Sequence, residues 1–196
     1  LRIADLVVSV TRALASGMRV NEILNTHTTM QDPGTAELAV NDAAEAAKFE
    51  HVTFTYKDAG APSLTDITFT ARPGETIGVI GGTGSGKSTL IDLVCRFYDA
   101  DNGGVALFGH DVKQYSFAQL RRLVGVVPQQ AVLFTGTIRD NMQWAAPGAS
   151  DEEIWQALEI AQAAEFVRGK PGMLDAPVET AGRNFSGGQR QRLTIA

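Results

Sequence analysis

The residues best suited to chemistry form one continuous stretch, Gly81-Gly82-Thr83-Gly84-Ser85-Gly86-Lys87-Ser88-Thr89. Within it, Gly81, Gly86, Lys87 and Ser88 have the G-x4-G-K-S spacing of a phosphate-binding loop. An apolar run, Ile77 to Ile80, precedes the loop, and a helical pattern follows at once, which is the strand–loop–helix setting such a loop requires. Glycines let the backbone adopt positive φ and approach a ligand with no Cβ in the way. Successive N–H groups then face inward as an anion-binding concavity. A helix beginning near Lys87 adds the positive end of its dipole where a phosphate would sit. Lys87 would reach the β and γ phosphates, and the Ser88 hydroxyl would ligate Mg²⁺. A glycine-rich turn with a chance lysine is the alternative, and the complete pattern favours a nucleoside triphosphate site.

Three other positions could serve the same ligand. Tyr56 lies upstream at the end of an alternating segment, where its ring could stack on a purine for about 1–3 kcal/mol. Taken alone it also fits a core or edge tyrosine. Gln129 follows an apolar run, Val124 to Val127, that reads as a buried strand, and ligands sit at strand C-termini in open α/β sheets. Its amide could ligate Mg²⁺ or hold a water; taken alone it fits a loop glutamine. Ser186-Gly187-Gly188-Gln189, before Arg190-Gln191-Arg192, places a hydroxyl and two glycines at a helix start, a second anion site.

The elements that must position these residues read as α/β. Leu1 to Asn25 carries Ile3, Leu6, Val7, Val10, Leu14, Met18 and Leu24 at close to a 3.6-residue period, an amphipathic helix that either packs on this domain or continues a longer helical element. Thr26 to Ala47 has small residues, Pro33-Gly34 and little periodicity, and reads as a linker. From Lys48 the period changes to two: Phe49, Val52, Phe54 and Tyr56, then Leu64, Ile67 and Phe69, an antiparallel pair leading into the phosphate-loop strand. Asp101 to Gly104 reads as a sharp turn, Val105 to Phe108 as a short strand, and Gly109 to Asp111 as another turn. Ser116 is a candidate N-cap for a helix through Leu123. Beyond Phe134 the pattern turns helical, over 137–143, 150–161, 163–169 and from Arg190 onward, with a Ser150–Glu153 capping box.

Composition removes several function classes. The net charge of −5 argues against a general nucleic-acid surface. One cysteine, Cys95, excludes a disulfide within the chain and fits inward packing on the phosphate-loop helix. His27, His51 and His110 are scattered, without ligand spacing for a structural metal. No apolar run approaches the ~18 residues that span a bilayer. The chain opens on Leu1 without a methionine and stops at Ala196 inside a helical pattern, both of which read as cuts through a longer polypeptide.

In this order the features closely resemble the nucleotide-binding domain of ATP-binding-cassette (ABC) transporters. Phe54-Thr55-Tyr56 looks like the adenine-stacking A-loop, Gly81 to Thr89 like Walker A, Val127 to Phe134 like the Q-loop, and Phe185 to Arg192 like the signature motif. Gly136 to Asn141 and Val178 to Asn184 resemble the exporter branch, in which a transmembrane domain precedes the nucleotide-binding domain in one polypeptide. Gly82 stands where many members carry proline, and Phe185 where leucine is usual.

The resemblance implies a P-loop NTPase core with an antiparallel β subdomain and a helical subdomain, truncated before the Walker B strand. Residues 1–25 would be the cytoplasmic end of the last transmembrane helix, 26–47 a linker, and 48–196 the incomplete nucleotide-binding domain with its helical subdomain at about 136–196. A Walker B strand, catalytic glutamate, D-loop and switch histidine are expected after Ala196, so the general base lies outside this chain and the chain alone is expected to be inactive. ATP and Mg²⁺ are the implied ligands. They would be held by Tyr56, Gly81 to Thr89 and Gln129 of one domain and by Ser186, Gly187, Gly188 and Gln189 of a second, head-to-tail domain, with Lys87 and Gln129 in catalytic roles and Ser88 and Gln129 on the metal. The implied partners are that second domain and the transmembrane domain of the same polypeptide, on the cytoplasmic side of the plasma (inner) membrane, without nucleic acid. The competing reading is a soluble ABC-type ATPase acting on nucleic acid or ribosomes. A GTPase is disfavoured by the lack of an Asn-Lys-x-Asp motif. The transported substrate is not encoded in this stretch.

Overall fold

The structure is a computed structural model that describes residues 2–26, 30–34, 36–41 and 43–196; His27 and part of the expected linker lie outside the described residues. The chain divides into two compact units, Leu1–Val124 and Gly125–Ala196.

In the first unit, helix α1 (Arg2–Leu24) forms as the periodicity predicts. Its apolar stripe is uncovered: Ile3, Leu6, Val7, Val10, Leu14, Met18 and Leu24 are all exposed. No described residue of this unit covers the stripe. Among the described residues no helix is long and apolar enough to cross a membrane.

Strand β1 (Ala47–Phe54) lies between β2 (Leu64–Ala71) and β3 (Asn102–Leu107), with β4 (His110–Asp111) beyond β3, all antiparallel. Phe49 and Val52 are three residues apart, out of step with strict alternation, yet both are fully buried. A bulge reconciles this. The register shifts between them, His51 takes φ 49° and, on β2, Asp66 takes φ 52°. Each bulge is tied by a threonine of the opposite strand: His51 N donates to Thr68 Oγ1 (3.0 Å) and Asp66 N to Thr53 Oγ1 (3.1 Å). Gly103 runs so close to the bulge that a Cβ there would lie 2.3 Å from the Glu50 and His51 carbonyl oxygens. Residues 102–104, expected as a turn, are therefore strand; glycine is needed there for close approach within the ladder rather than for reversal. His110 and Asp111 likewise pair with β3 instead of turning.

Helices α2 (Lys87–Val94) and α3 (Phe117–Leu123) contribute Leu93 and Leu120 to the core beneath the sheet, with Phe49, Val52, Phe54, Leu64, Val105 and Leu107. Burying such side chains contributes about 1.5–3 kcal/mol each. Ser116 caps α3 as expected, accepting from Gln119 N. Cys95 sits half-buried just past α2, and burial pushes its thiol pKa up.

Up to Ala47, where β1 begins, the described part of the expected linker has no regular structure and is nonetheless tied down. The buried Gln119 side chain donates to Leu38 O (2.6 Å) and accepts from Leu38 N (3.0 Å), replacing a strand partner. Arg96 donates to Gln31 O (3.2 Å), Phe117 N donates to Asp32 Oδ2 (3.1 Å), and Arg122 pairs with Glu37.

Two expected strands do not form. Ile77 to Ile80 and Val124 to Val127 make no ladder, and Ile80 is 95% exposed. An apolar run becomes a strand only beside a neighbour that takes its backbone hydrogen bonds. Among the described residues no strand flanks either run.

In the second unit, α4 (Ile138–Ala145), α5 (Asp151–Ile160), α6 (Ala164–Arg168) and α7 (Gly187–Ile195) surround a core that includes Ile138, Leu158, Val167, Val178, Phe185 and Leu193. A short antiparallel ladder joins β5 (Gly136–Thr137) to β6 (Pro177–Val178). The Ser150–Glu153 capping box forms, and so do two more, Thr137–Asp140 and Ser186–Gln189. Hydrogen bonds from the caps hold the Asp140 and Glu153 carboxyls below the usual range.

Candidate nucleotide site

The phosphate loop sits between the exposed 77–80 run and α2. Gly84 (φ 80°) and Gly86 (φ 84°) lie in the left-handed region, which glycine enters without penalty. Gly86 is the N-cap of α2 and supplies no side-chain acceptor, whereas α3, α4, α5 and α7 each have a Ser or Thr hydroxyl there. The first N–H groups of an α-helix have no intrahelical carbonyl, so those of α2 remain available to an external anion. The Lys87 ammonium is folded back on the loop, donating to Gly81 O (2.9 Å), Gly82 O (2.6 Å) and Ser85 Oγ (3.3 Å). These carbonyls are weak partners for a cation, and a phosphate would be a stronger one.

A cavity of about 240 Å³ opens beside the loop, lined by Tyr56, Ser63, Gly84, Ser85, Gly86, Lys87, Ser88 and Thr89. The structure thus brings the candidate base-stacking tyrosine to the same cavity as the later half of the loop. Gly81 and Gly82 contribute carbonyls to Lys87, and Thr83 precedes the part that lines the cavity. Ser63 was not legible as a lining residue. It is placed there by the turn into β2, whose carbonyl would lie 2.6 Å from a Cβ on Gly86.

The remaining candidates lie in the second unit. Gln129 is exposed on an irregular segment rather than at a strand end, because the 124–127 run does not form a strand. Ser186 Oγ accepts from Gln189 N (3.2 Å), and Gln189 Oε1 accepts from Ser186 N (3.0 Å). The box leaves the Ser186 hydroxyl proton and the Gly187 and Gly188 N–H groups for a ligand at the start of α7. Arg190, which sequence alone did not single out, donates from Nη1 to Phe185 O (2.8 Å) and Gly182 O (3.4 Å) and so fixes the approach to this turn.

Residues 64–196 match the family model described as ABC transporter. The chain belongs to the ABC transporter family. It is 40% identical over 188 residues to an uncharacterized ABC transporter ATP-binding protein of Mycobacterium bovis, covering 94% of this chain and 32% of the relative. It is 42% identical over 147 residues to a putative multidrug export ATP-binding/permease protein of Staphylococcus aureus, covering 75% of this chain and 25% of that one. Among solved structures, an ATP-bound bacterial Atm1-family ABC exporter superposes with a TM-score of 0.84 at 32% identity, over 94% of this chain and 32% of the exporter chain. The chain therefore spans about a quarter to a third of the length of these relatives. The antiparallel sheet and helical unit are those of the ABC ATPase fold. Among the described residues, no group of three or more His, Cys, Asp or Glu side chains could hold a metal ion.

Proposed function

We propose that this chain is the ATP-binding part of an ABC exporter, coupling ATP binding and hydrolysis to the movement of a substrate across a membrane. The observation that carries the reading is the bare glycine start of α2, which shares one cavity with Lys87, Ser88 and Tyr56. ATP fits that arrangement: the triphosphate at the helix start, Lys87 released from the loop carbonyls to the β and γ phosphates, and the base toward Tyr56. With no acidic cluster among the described residues, a Mg²⁺ ion at the loop would depend on Ser88, phosphate oxygens and water, in keeping with its preference for few protein ligands. The ion would neutralise charge on the phosphates.

Ser186 to Gln189 we assign to the γ-phosphate of ATP held by a second nucleotide-binding domain, so that two copies close head to tail around two ATP molecules. A polyanion between two positively polarised helix starts is what allows them to approach. Residues 1–25 we assign to the cytoplasmic end of a transmembrane-domain helix, 26–47 to a linker, and 48–196 to the nucleotide-binding domain, with its helical part at about 136–196. The uncovered stripe of α1 and the net charge of −5 support an exporter over a soluble ATPase working on nucleic acid or ribosomes. The domain would face the cytoplasm.

In the intact transporter polypeptide, Lys87→Ala is expected to abolish ATP hydrolysis. Turnover equal to that of the parent would refute the role given to Lys87.

A further inference from the structure

The side chain that fixes Tyr56 belongs to none of the motifs. The Tyr56 phenol lies 3.2 Å from Asp92 Oδ2 and 3.1 Å from Thr89 Oγ1. A carboxylate only accepts, so the phenol proton goes to Asp92 and the threonine hydroxyl donates to the phenol oxygen. Thr89 and Asp92 are three residues apart on α2 and therefore share a face. The ring also lies nearly perpendicular to those of Phe54 (centroids 4.8 Å, 82°) and Tyr98 (5.1 Å, 88°).

We propose that Asp92, assisted by Thr89, is a positioning residue for base binding: it locks the Tyr56 ring at the base end of the cavity and joins it to the helix that presents Lys87 and Ser88. The inference rests on the ATP reading above. A stacking ring that must be ordered on binding costs affinity, and a ring already held does not. At 3.2 Å the Asp92 bond is longer than a short charge-assisted one, so the latch draws as well on the Thr89 hydroxyl at 3.1 Å and on the two aromatic neighbours. Asp92 thus acts on the base-dependent part of affinity and leaves the phosphate-dependent part alone.

The test uses the intact transporter polypeptide, with KM and kcat for ATP and, as a base-free probe, inhibition by inorganic tripolyphosphate. Asp92→Ala is expected to raise KM for ATP about threefold to tenfold with little change in kcat or in the tripolyphosphate inhibition constant. Asp92→Asn, whose amide oxygen still accepts from the phenol, should recover most of the loss. Tyr56→Phe, which also loses the Thr89 bond, should raise KM at least as much as Asp92→Ala, and the double variant should be no worse than Tyr56→Phe alone. If Tyr56→Ala raises KM while Asp92→Ala and Tyr56→Phe do not, the latch is wrong and stacking stands. If Tyr56→Ala leaves KM unchanged, the stacking reading itself fails. Equal losses for ATP and tripolyphosphate in Asp92→Ala would mean general damage to α2 and would overturn the positioning role.

Discussion

Replacing the glycines of the phosphate loop one at a time separates backbone strain from steric conflict. Gly86→Ala forces an L-residue to φ 84° and sets its Cβ 2.6 Å from the Ser63 carbonyl oxygen and 2.7 Å from Leu64 Cδ2. The left-handed conformation costs about 1 kcal/mol, and the overpacking, which involves backbone that cannot swing away, about 1–3 kcal/mol more. Gly84→Ala meets the same φ problem with nothing within 4 Å, so it should cost only the strain. Gly82→Ala has neither problem and should fall within about 0.5 kcal/mol of the parent. At about 3 °C per kcal/mol for a chain of this size, the melting temperature should drop by about 6–12 °C for Gly86→Ala and about 3 °C for Gly84→Ala. Far-UV circular dichroism, with hydrogen exchange across 87–94, is the suitable assay. Tryptophan fluorescence is not, because Trp144 and Trp155 both lie in the second unit. Gly86→Ala melting with or above Gly84→Ala would refute the steric account.

Ser186 combines a cap with a proposed phosphate contact, and aspartate separates the two. Ser186→Asp keeps a capping oxygen and should melt near the parent, while its charge blocks ATP-driven pairing; Ser186→Ala should lose about 1 kcal/mol. Pairing retained in Ser186→Asp, measured by light scattering with ATP, would contradict the contact. The lowered pKa values of Asp140 and Glu153 mean that their capping contribution is complete above the ordinary carboxylate range and is lost as pH falls through the folded-state values. Melting of the helical unit, followed by Trp144 and Trp155 fluorescence, should therefore decline below pH ~4, and less steeply in Asp140→Asn/Glu153→Gln. An unaltered slope would remove both boxes from the acid response. Gln119→Leu strips two hydrogen bonds from Leu38, worth about 2 kcal/mol together, and should speed exchange over 36–41 at least about tenfold while leaving β1 protected. Unchanged exchange there would show that Gln119 does not hold the strap.

What was legible in the sequence is what is encoded locally. The Ser150–Glu153 box needs only residues three apart, and the phosphate loop only a fixed spacing of glycines, lysine and serine. The β1–β2 pairing was readable, but not its bulge, because His51 and Asp66 show no local sign of positive φ. Contacts between distant residues left no trace: Gln119 reaches 81 positions back to Leu38, and Tyr56 reaches 36 forward to Asp92. Hydrophobicity favours strands at 77–80 and 124–127, but it reports a preference for burial and says nothing about whether a neighbouring strand is there to supply hydrogen bonds. Without the 124–127 strand, Gln129 lies on an exposed irregular segment rather than at a strand end.

The most direct test of the two-sided grip on ATP is a structure of the intact polypeptide with a non-hydrolysable ATP analogue. The Ser186 hydroxyl and the Gly187 and Gly188 N–H groups of one copy are predicted to lie about 3 Å from the γ-phosphate whose other side is held by Lys87 of the second copy. Finding them beyond hydrogen-bond reach of every phosphate, with the nucleotide fully bound, would contradict it.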